Sequence, residues 1–182
     1  MRRLSSAIAV LVGLTACQDT PLDPQASPET RLAEQSASRV VASATGSGHR
    51  VRNDRALVFT FQALRRDDGT SEGKYYLDWQ DLGPALGHQR LQVEVDVTCM
   101  SVQDNIAWVA GIISKVDGPI AQEGTVSYFY VIDHGEGAAA VDEISGLRLN
   151  DVAGEDELFC DEQPLLLVKT AIERGNAQVR SH

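Results

Sequence analysis

Basic residues are scarce in this chain. Sixteen Lys and Arg stand against 26 Asp and Glu, a formal net charge of −10. An acidic surface repels phosphate, so nucleic acid is not the expected partner. Cysteine is scarcer still, with three residues. None forms a C-x-x-C pair, so the usual zinc-ligand spacing is missing. The four histidines, His49, His88, His134 and His182, are scattered and make no H-E-x-x-H. There is no G-x-S-x-G nucleophile elbow, no phosphate-binding glycine loop and no dinucleotide fingerprint. Gly46-Ser47-Gly48 has the start of one, but it does not link a strand to a helix. The apolar run at residues 7–14 is too short to span a bilayer as a helix.

That run does fit a targeting segment. Arg2 and Arg3 precede it as a basic region, and it ends in Leu14-Thr15-Ala16-Cys17. The tetrapeptide resembles the lipobox of bacterial lipoproteins. There a cysteine thiol accepts the lipid and becomes the new N-terminus, and small neighbours admit the peptidase. The alternative is an ordinary secretory signal that happens to contain Cys17. Both readings remove residues 1–16 and place the remainder outside the cytoplasm, at the periplasmic side of a membrane or on the outer membrane. The chain from Cys17 onward carries 14 basic and 26 acidic residues, or −12. An Asp directly after the lipidated cysteine retains enterobacterial lipoproteins in the inner membrane. Gln18 stands there instead, so retention is not signalled.

With Cys17 assigned to the lipid, Cys99 and Cys160 remain. Two thiols in an exported protein point to one disulfide. It would close a loop of about 60 residues, worth roughly 4 kcal/mol in the chain-entropy model. The competing reading of Cys99 is a buried thiol at the end of an inward-facing strand register.

Residues 18–43 have linker composition, with Pro21, Pro24 and Pro28 among Ser, Ala, Glu and Gln. As a coil they would reach about 25–30 Å. Part can be helical: Ser27 suits an N-cap, Pro28 the first turn, and Glu29 the positive helix end. Leu32, Ala33, Ala37, Val40 and Val41 then fall near one face. The expected division is a signal peptide at 1–16, an anchor and flexible linker at 17–44, and an all-β domain at 45–182.

The domain is organised around residues 90–115. Leu91, Val93, Val95, Val97 and Cys99 alternate with Gln92, Glu94, Asp96 and Thr98. Period two marks a half-buried strand. The break at Gln103-Asp104-Asn105 and the apolar return from Ile106 to Ile113 make a hairpin. Further alternation appears at residues 57–64, 74–80 and 125–133. The turn signal Asp67-Asp68-Gly69-Thr70 separates the first two of these. Residues 143–149, 165–170 and 176–180 read as short strands, and Gly154-Glu155-Asp156-Glu157 as a solvated acidic loop. Eight or nine short strands with tight connections and no helix between them predict an antiparallel meander. It would form a small closed or partly closed barrel, with a β-sandwich second.

The sharpest chemical candidate is Asp133-His134-Gly135-Glu136-Gly137, where a strand runs into a loop. Asp142 and Glu143 lie at its far end. These carboxylates can bind Ca²⁺ or another hard cation, or act with the imidazole as acid and base. The plain alternative is a turn: Gly135 and Gly137 supply positive φ and the polar groups are solvated. No EF-hand spacing is present, and no other cofactor is implied. Trp79, Trp108, Tyr75, Tyr128 and Phe129 can line a ligand cavity inside a barrel. At alternating strand positions such residues more often make core. His182 ends the chain and is expected to be mobile.

Gly46-x-Gly48-His49, Phe59-Thr60-Phe61, Asp96-Val97-Thr98-Cys99, Trp108 with Gly111, and Val131-x-Asp133-x-Gly135-Glu136-Gly137 together resemble a group of uncharacterised exported bacterial proteins. The resemblance spans residues 45–180 and implies no activity or site. His134 falls where that group looks to carry Asn, which weakens a catalytic role for it. The expectation is therefore a lipid-anchored envelope lipoprotein, non-catalytic, acting as a binding or structural module. Its partners would be the membrane, through the lipid, and a protein or small molecule. A small-ligand-binding barrel is the alternative, and an enzyme using the Asp133–Glu136 loop comes third. A binding barrel requires a hollow interior, and a structural module a filled one.

Overall fold

Alternation carries straight into strands. The computed structural model describes residues 38–52, 55–81, 90–118, 121–137, 140–165 and 168–182. Cys17, His88 and the turn at Asn53-Asp54 lie outside them. The first half is a run of long strands: β1 (Val40–Arg52), β2 (Arg55–Arg66), β3 (Ser71–Asp81), β4 (Arg90–Gln103) and β5 (Ile106–Asp117). Shorter elements come next: β6 (Val126–Ile132), β7 (Glu143–Ser145), β8 (Arg148–Asn150), α1 (Glu155–Glu162), β9 (Lys169–Ala171) and β10 (Arg174–Ser181). They form one antiparallel sheet in the order β10-β1-β2-β3-β4-β5-β6-β7-β9, with β8 also on β6. The sheet curls into a half-barrel. Among the described residues the strands make one sheet rather than two facing ones, so the sandwich is set aside. Among the described residues no helix is long and apolar enough to cross a membrane.

The expected hairpin is β4–β5, paired from Gln92↔Asp117 to Gln103↔Ile106. Asp104 takes the left-handed conformation, φ 54°, that its tight turn needs. At the β2–β3 turn Gly69 does the same at φ 86°. There Asp68 Oδ1 accepts the Thr70 amide at 2.9 Å and the Thr70 hydroxyl at 2.6 Å.

Aromatic rings fill the interior. Phe61 and Tyr75 each meet Phe129 edge-on, at 5.3 and 5.1 Å between centroids. Val93, Val95, Met100 and Val109 complete the fill. The Phe rings leave no room on β1, whose inward positions are Ala42, Ala44, Gly46 and Gly48. A Cβ on Gly46 would sit 2.6 Å from the Phe61 ring, and one on Gly48 2.7 Å from Phe59. The G-x-G pattern thus serves close packing of strand on ring.

Three expectations need correction. β1 begins at Val40, so the sheet starts before Thr45, and Val40 and Val41 are strand rather than one face of a helix. The acidic stretch after Gly154 is the first turn of α1, not a loop. Its three acids favour the positive helix end. An eight-residue helix, however, owes its existence to docking through Phe159 and Cys160 rather than to periodicity. The third concerns Cys99, which does not continue the inward register. The pairing shifts between Val97 and Cys99. This bulge at Thr98 sends Met100 inward and turns Cys99 to the opposite face. Gly111 permits it: a Cβ there would meet the Asp96 carbonyl oxygen at 2.1 Å.

Candidate functional site

The loop from β6 to β7 brings Asp133, His134 and Asp142 together, but spends the carboxylates on backbone. Asp142 Oδ1 accepts the His134 amide at 2.9 Å, and its Oδ2 accepts the Ala177 amide at 2.8 Å. Asp133 Oδ1 accepts the Gly135 amide at 2.7 Å, and its Oδ2 accepts the Val179 amide at 2.9 Å. Ala177 and Val179 belong to β10, one edge of the sheet. The two side chains thus stand where a neighbouring strand's carbonyls would stand, and they bridge the gap between the β6 end and β10. Asp142 is only 5% exposed, as this bridging requires.

Residues 134–137 of the loop are exposed. Glu136 Oε1 accepts the Gln178 side-chain amide at 3.1 Å. His134 Nε2 lies 3.1 Å from Glu143 Oε2, to which Lys169 also donates at 2.8 Å. The Lys169 hydrogen bond, with a smaller contribution from His134, holds the Glu143 carboxyl below its ordinary range, and the same contact raises Lys169. Gly135 and Gly137 have φ of 89° and 128°. Among the described residues no three His, Cys, Asp or Glu side chains converge to hold an ion. His49 lies 3.8 Å from Glu173. His182, expected to be mobile, is tied by its amide to the Val41 carbonyl and lies 3.1 Å from the Ser43 hydroxyl.

Cys99 and Cys160 are paired, with Cα atoms 6.3 Å apart. The pair pins α1 on the outer side of β4–β6. There Trp108, Tyr130, Ile132 and Phe159 make a second apolar cluster. The Tyr128 and Phe159 rings pack at a tilt with centroids 4.5 Å apart, and the Trp108 indole donates to the Pro164 carbonyl at 3.2 Å. Of the aromatics nominated for a lumen, Tyr75 and Phe129 fill the interior, while Trp108 and Tyr128 lie under or beside α1. Trp79 is partly buried, with the Arg55 guanidinium 5.4 Å from its ring centre.

A concave surface lies elsewhere, and sequence reasoning missed it. An open trough of about 940 Å³ lies on the outer face of β10, β1, β2, β3 and β4. Strand register aligns its polar residues in two rows, the second of which ends on Asp96 just beyond the lining. Asn176, Ser47, Thr60, Tyr76 and Glu94 form one; Gln178, Thr45, Gln62, Lys74 and Asp96 form the other. Lys74 is bound by Glu94 at 2.6 Å and Asp96 at 2.9 Å. The hydrogen bonds it donates to these two carboxylates push its pKa up to about 12. Arg66 pairs with Glu72, and Gln92 donates to the Tyr76 hydroxyl. The signal was present as the polar half of each alternating strand, but only the pairing order brings those halves side by side.

Comparison with protein-family models, with curated proteins and with solved structures found no match to this chain.

Proposed function

We propose that the chain is a lipid-anchored lipoprotein of the cell envelope, exposed outside the cytoplasm, whose β domain is a non-catalytic binding module. The anchor rests on Arg2, Arg3 and the Leu14-Thr15-Ala16-Cys17 box. The binding reading rests on one observation, the polar concave surface outside the half-barrel; the interior, filled by Phe59, Tyr75, Met100 and Phe129, speaks against a hollow ligand-binding barrel. A ligand inside the barrel would have to displace that core, at several kcal/mol for each large side chain. A surface ligand displaces only water. Asp133 and Asp142 are committed to four backbone amides, which argues against acid–base work in that loop.

The anchor is tested by labelling with radioactive palmitate and by fractionation. The wild-type chain should label and sediment with membranes, and Cys17→Ser should do neither. A Cys17→Ser protein that still labels and stays with membranes would end the lipoprotein reading.

A further inference from the structure

The trough differs from an ordinary solvent face in how its polar groups are spent. The charged ones are satisfied among themselves: Lys74 by Glu94 and Asp96, and Glu72 by Arg66. Of the neutral ones, Gln178 is held by Glu136 and Arg180, but five others are not held. Thr45, Ser47, Thr60, Gln62 and Asn176 make no side-chain hydrogen bond among the described residues. Their hydroxyls and amides keep donors and acceptors side by side. Half-buried Tyr76 stands in one row between Thr60 and Glu94, its hydroxyl held by Gln92. A ring fixed in this way offers a flat apolar surface with a polar tip.

We infer that the trough binds an extended, uncharged oligosaccharide; this rests on the reading of the domain as a binding module. The charge pattern selects the class. An anion meets Glu72 and Glu94 on a chain of net charge −10. A cation must compete with Lys74 for its two carboxylates. An uncharged ligand disturbs neither pair. Vicinal hydroxyls of a sugar match hydroxyl and amide side chains that both donate and accept, and the C–H face of a pyranose matches the Tyr76 ring. Spacing agrees. Each row crosses five strands at ~4.8 Å intervals, or about 19 Å, room for several sugar rings end to end. The volume, about 940 Å³, lies at the upper end of ordinary ligand sites.

The test titrates the full chain, purified in detergent, with cellohexaose, chitohexaose and maltohexaose. An anionic oligogalacturonate, a Lys/Arg-rich peptide and an Asp/Glu-rich peptide serve as matched probes. At least one uncharged hexasaccharide should saturate. Gln62→Ala, Asn176→Ala and Tyr76→Ala should each weaken it fivefold or more, and Glu157→Ala on α1 should leave it unchanged. Gln62 and Asn176 are exposed, so their variants keep the fold, which circular dichroism verifies. If no uncharged sugar saturates at millimolar concentration, or if the trough variants bind as wild type does, the inference fails. A charged probe that saturates instead, and is lost in the same variants, refutes the ligand class but keeps the binding module. Silence from every probe refutes both and leaves the trough a solvent face.

Discussion

Asp142 and Asp133 hold alternate amides of one strand: Asp142 Oδ2 accepts from Ala177 at 2.8 Å and Asp133 Oδ2 from Val179 at 2.9 Å. A β10 edge with bare amides would template pairing with another chain. The two carboxylates occupy it. Asp142→Ala would orphan the amides of His134 and Ala177, at about 2–4 kcal/mol for the pair. That corresponds to a drop in Tm of roughly 4–16 °C for a domain of this size. Asp142→Asn keeps one acceptor but turns an NH₂ toward the other amide, so it should lose about half as much. A thermal melt of the three proteins decides it. Equal Tm values would mean the bridge is not needed to close the sheet.

Calcium should leave this protein unmoved. A bound ion stabilises the folded state by RT ln(1 + [L]/Kd), about 2.7 kcal/mol at a hundredfold excess. The Asp133 and Asp142 oxygens already accept four amides, however, and an ion would have to strip them. Millimolar Ca²⁺ should therefore not raise Tm, and Glu136→Gln should melt with wild type. Gly135→Val should cost about 1–2 kcal/mol, because a β-branched residue is strained at φ 89°. A Ca²⁺-dependent rise in Tm that Glu136→Gln abolishes would restore the loop as a cation site.

The legible part of the fold was whatever depends on period. Residues 91–97 alternate without interruption, and β4 runs through them. The pattern stops informing at Thr98, where one bulged residue inverts the faces of Cys99 and Met100. Its cause is Gly111 on the partner strand, and no window along β4 contains it. α1 was hidden because its helicity comes from docking. The candidate loop was legible as a cluster of acids but not as a clasp, since its partners are backbone amides of β10, which no residue type announces. The trough was hidden in another way: each strand shows its polar face, but concavity and the rows across strands arise only once five strands are in register.

Acid should weaken a second contact on the outer face. Asp78 is nearly buried and takes a two-pronged hydrogen bond from Arg90, at 2.8 and 2.5 Å. That contact holds the Asp78 carboxyl below its ordinary value of 3.8. As pH falls, the unfolded chain takes up this proton first. The stabilisation is therefore complete above about pH 5 and is lost as pH drops through the lower folded-state value. Arg90 is more than half exposed, so solvent screens the pair, and about 1–2 kcal/mol at neutral pH is the expected size. Urea unfolding of wild type and Asp78→Asn from pH 7 to pH 2 should show a gap that narrows in acid. A gap constant with pH would place the cost of the substitution in packing instead.

The strongest single effect should come from the Cys99–Cys160 pair. The bonded residues are 61 apart in sequence, so the closed loop is worth about 4 kcal/mol through the unfolded chain. The double variant Cys99→Ser/Cys160→Ser should lose about 8–16 °C in Tm on that account. The position of the bond has a second, local consequence. Without it α1 is a two-turn helix with no basic residue in its last turn to balance the negative end. The Phe159–Tyr128 ring contact then holds it with a few hydrogen bonds, among them Thr98 to Asp156, Ser101 to the Cys160 carbonyl and Gln163 to Ser101. Amide exchange in α1 should speed up at temperatures where β5 remains protected. Emission from Trp108, read in a Trp79→Phe background, should shift red as its cover opens. If α1 and β5 lose protection together, the helix is part of the same cooperative unit as the sheet. If neither changes while Tm falls, the bond acts on the unfolded chain alone and the side-chain contacts suffice to dock α1.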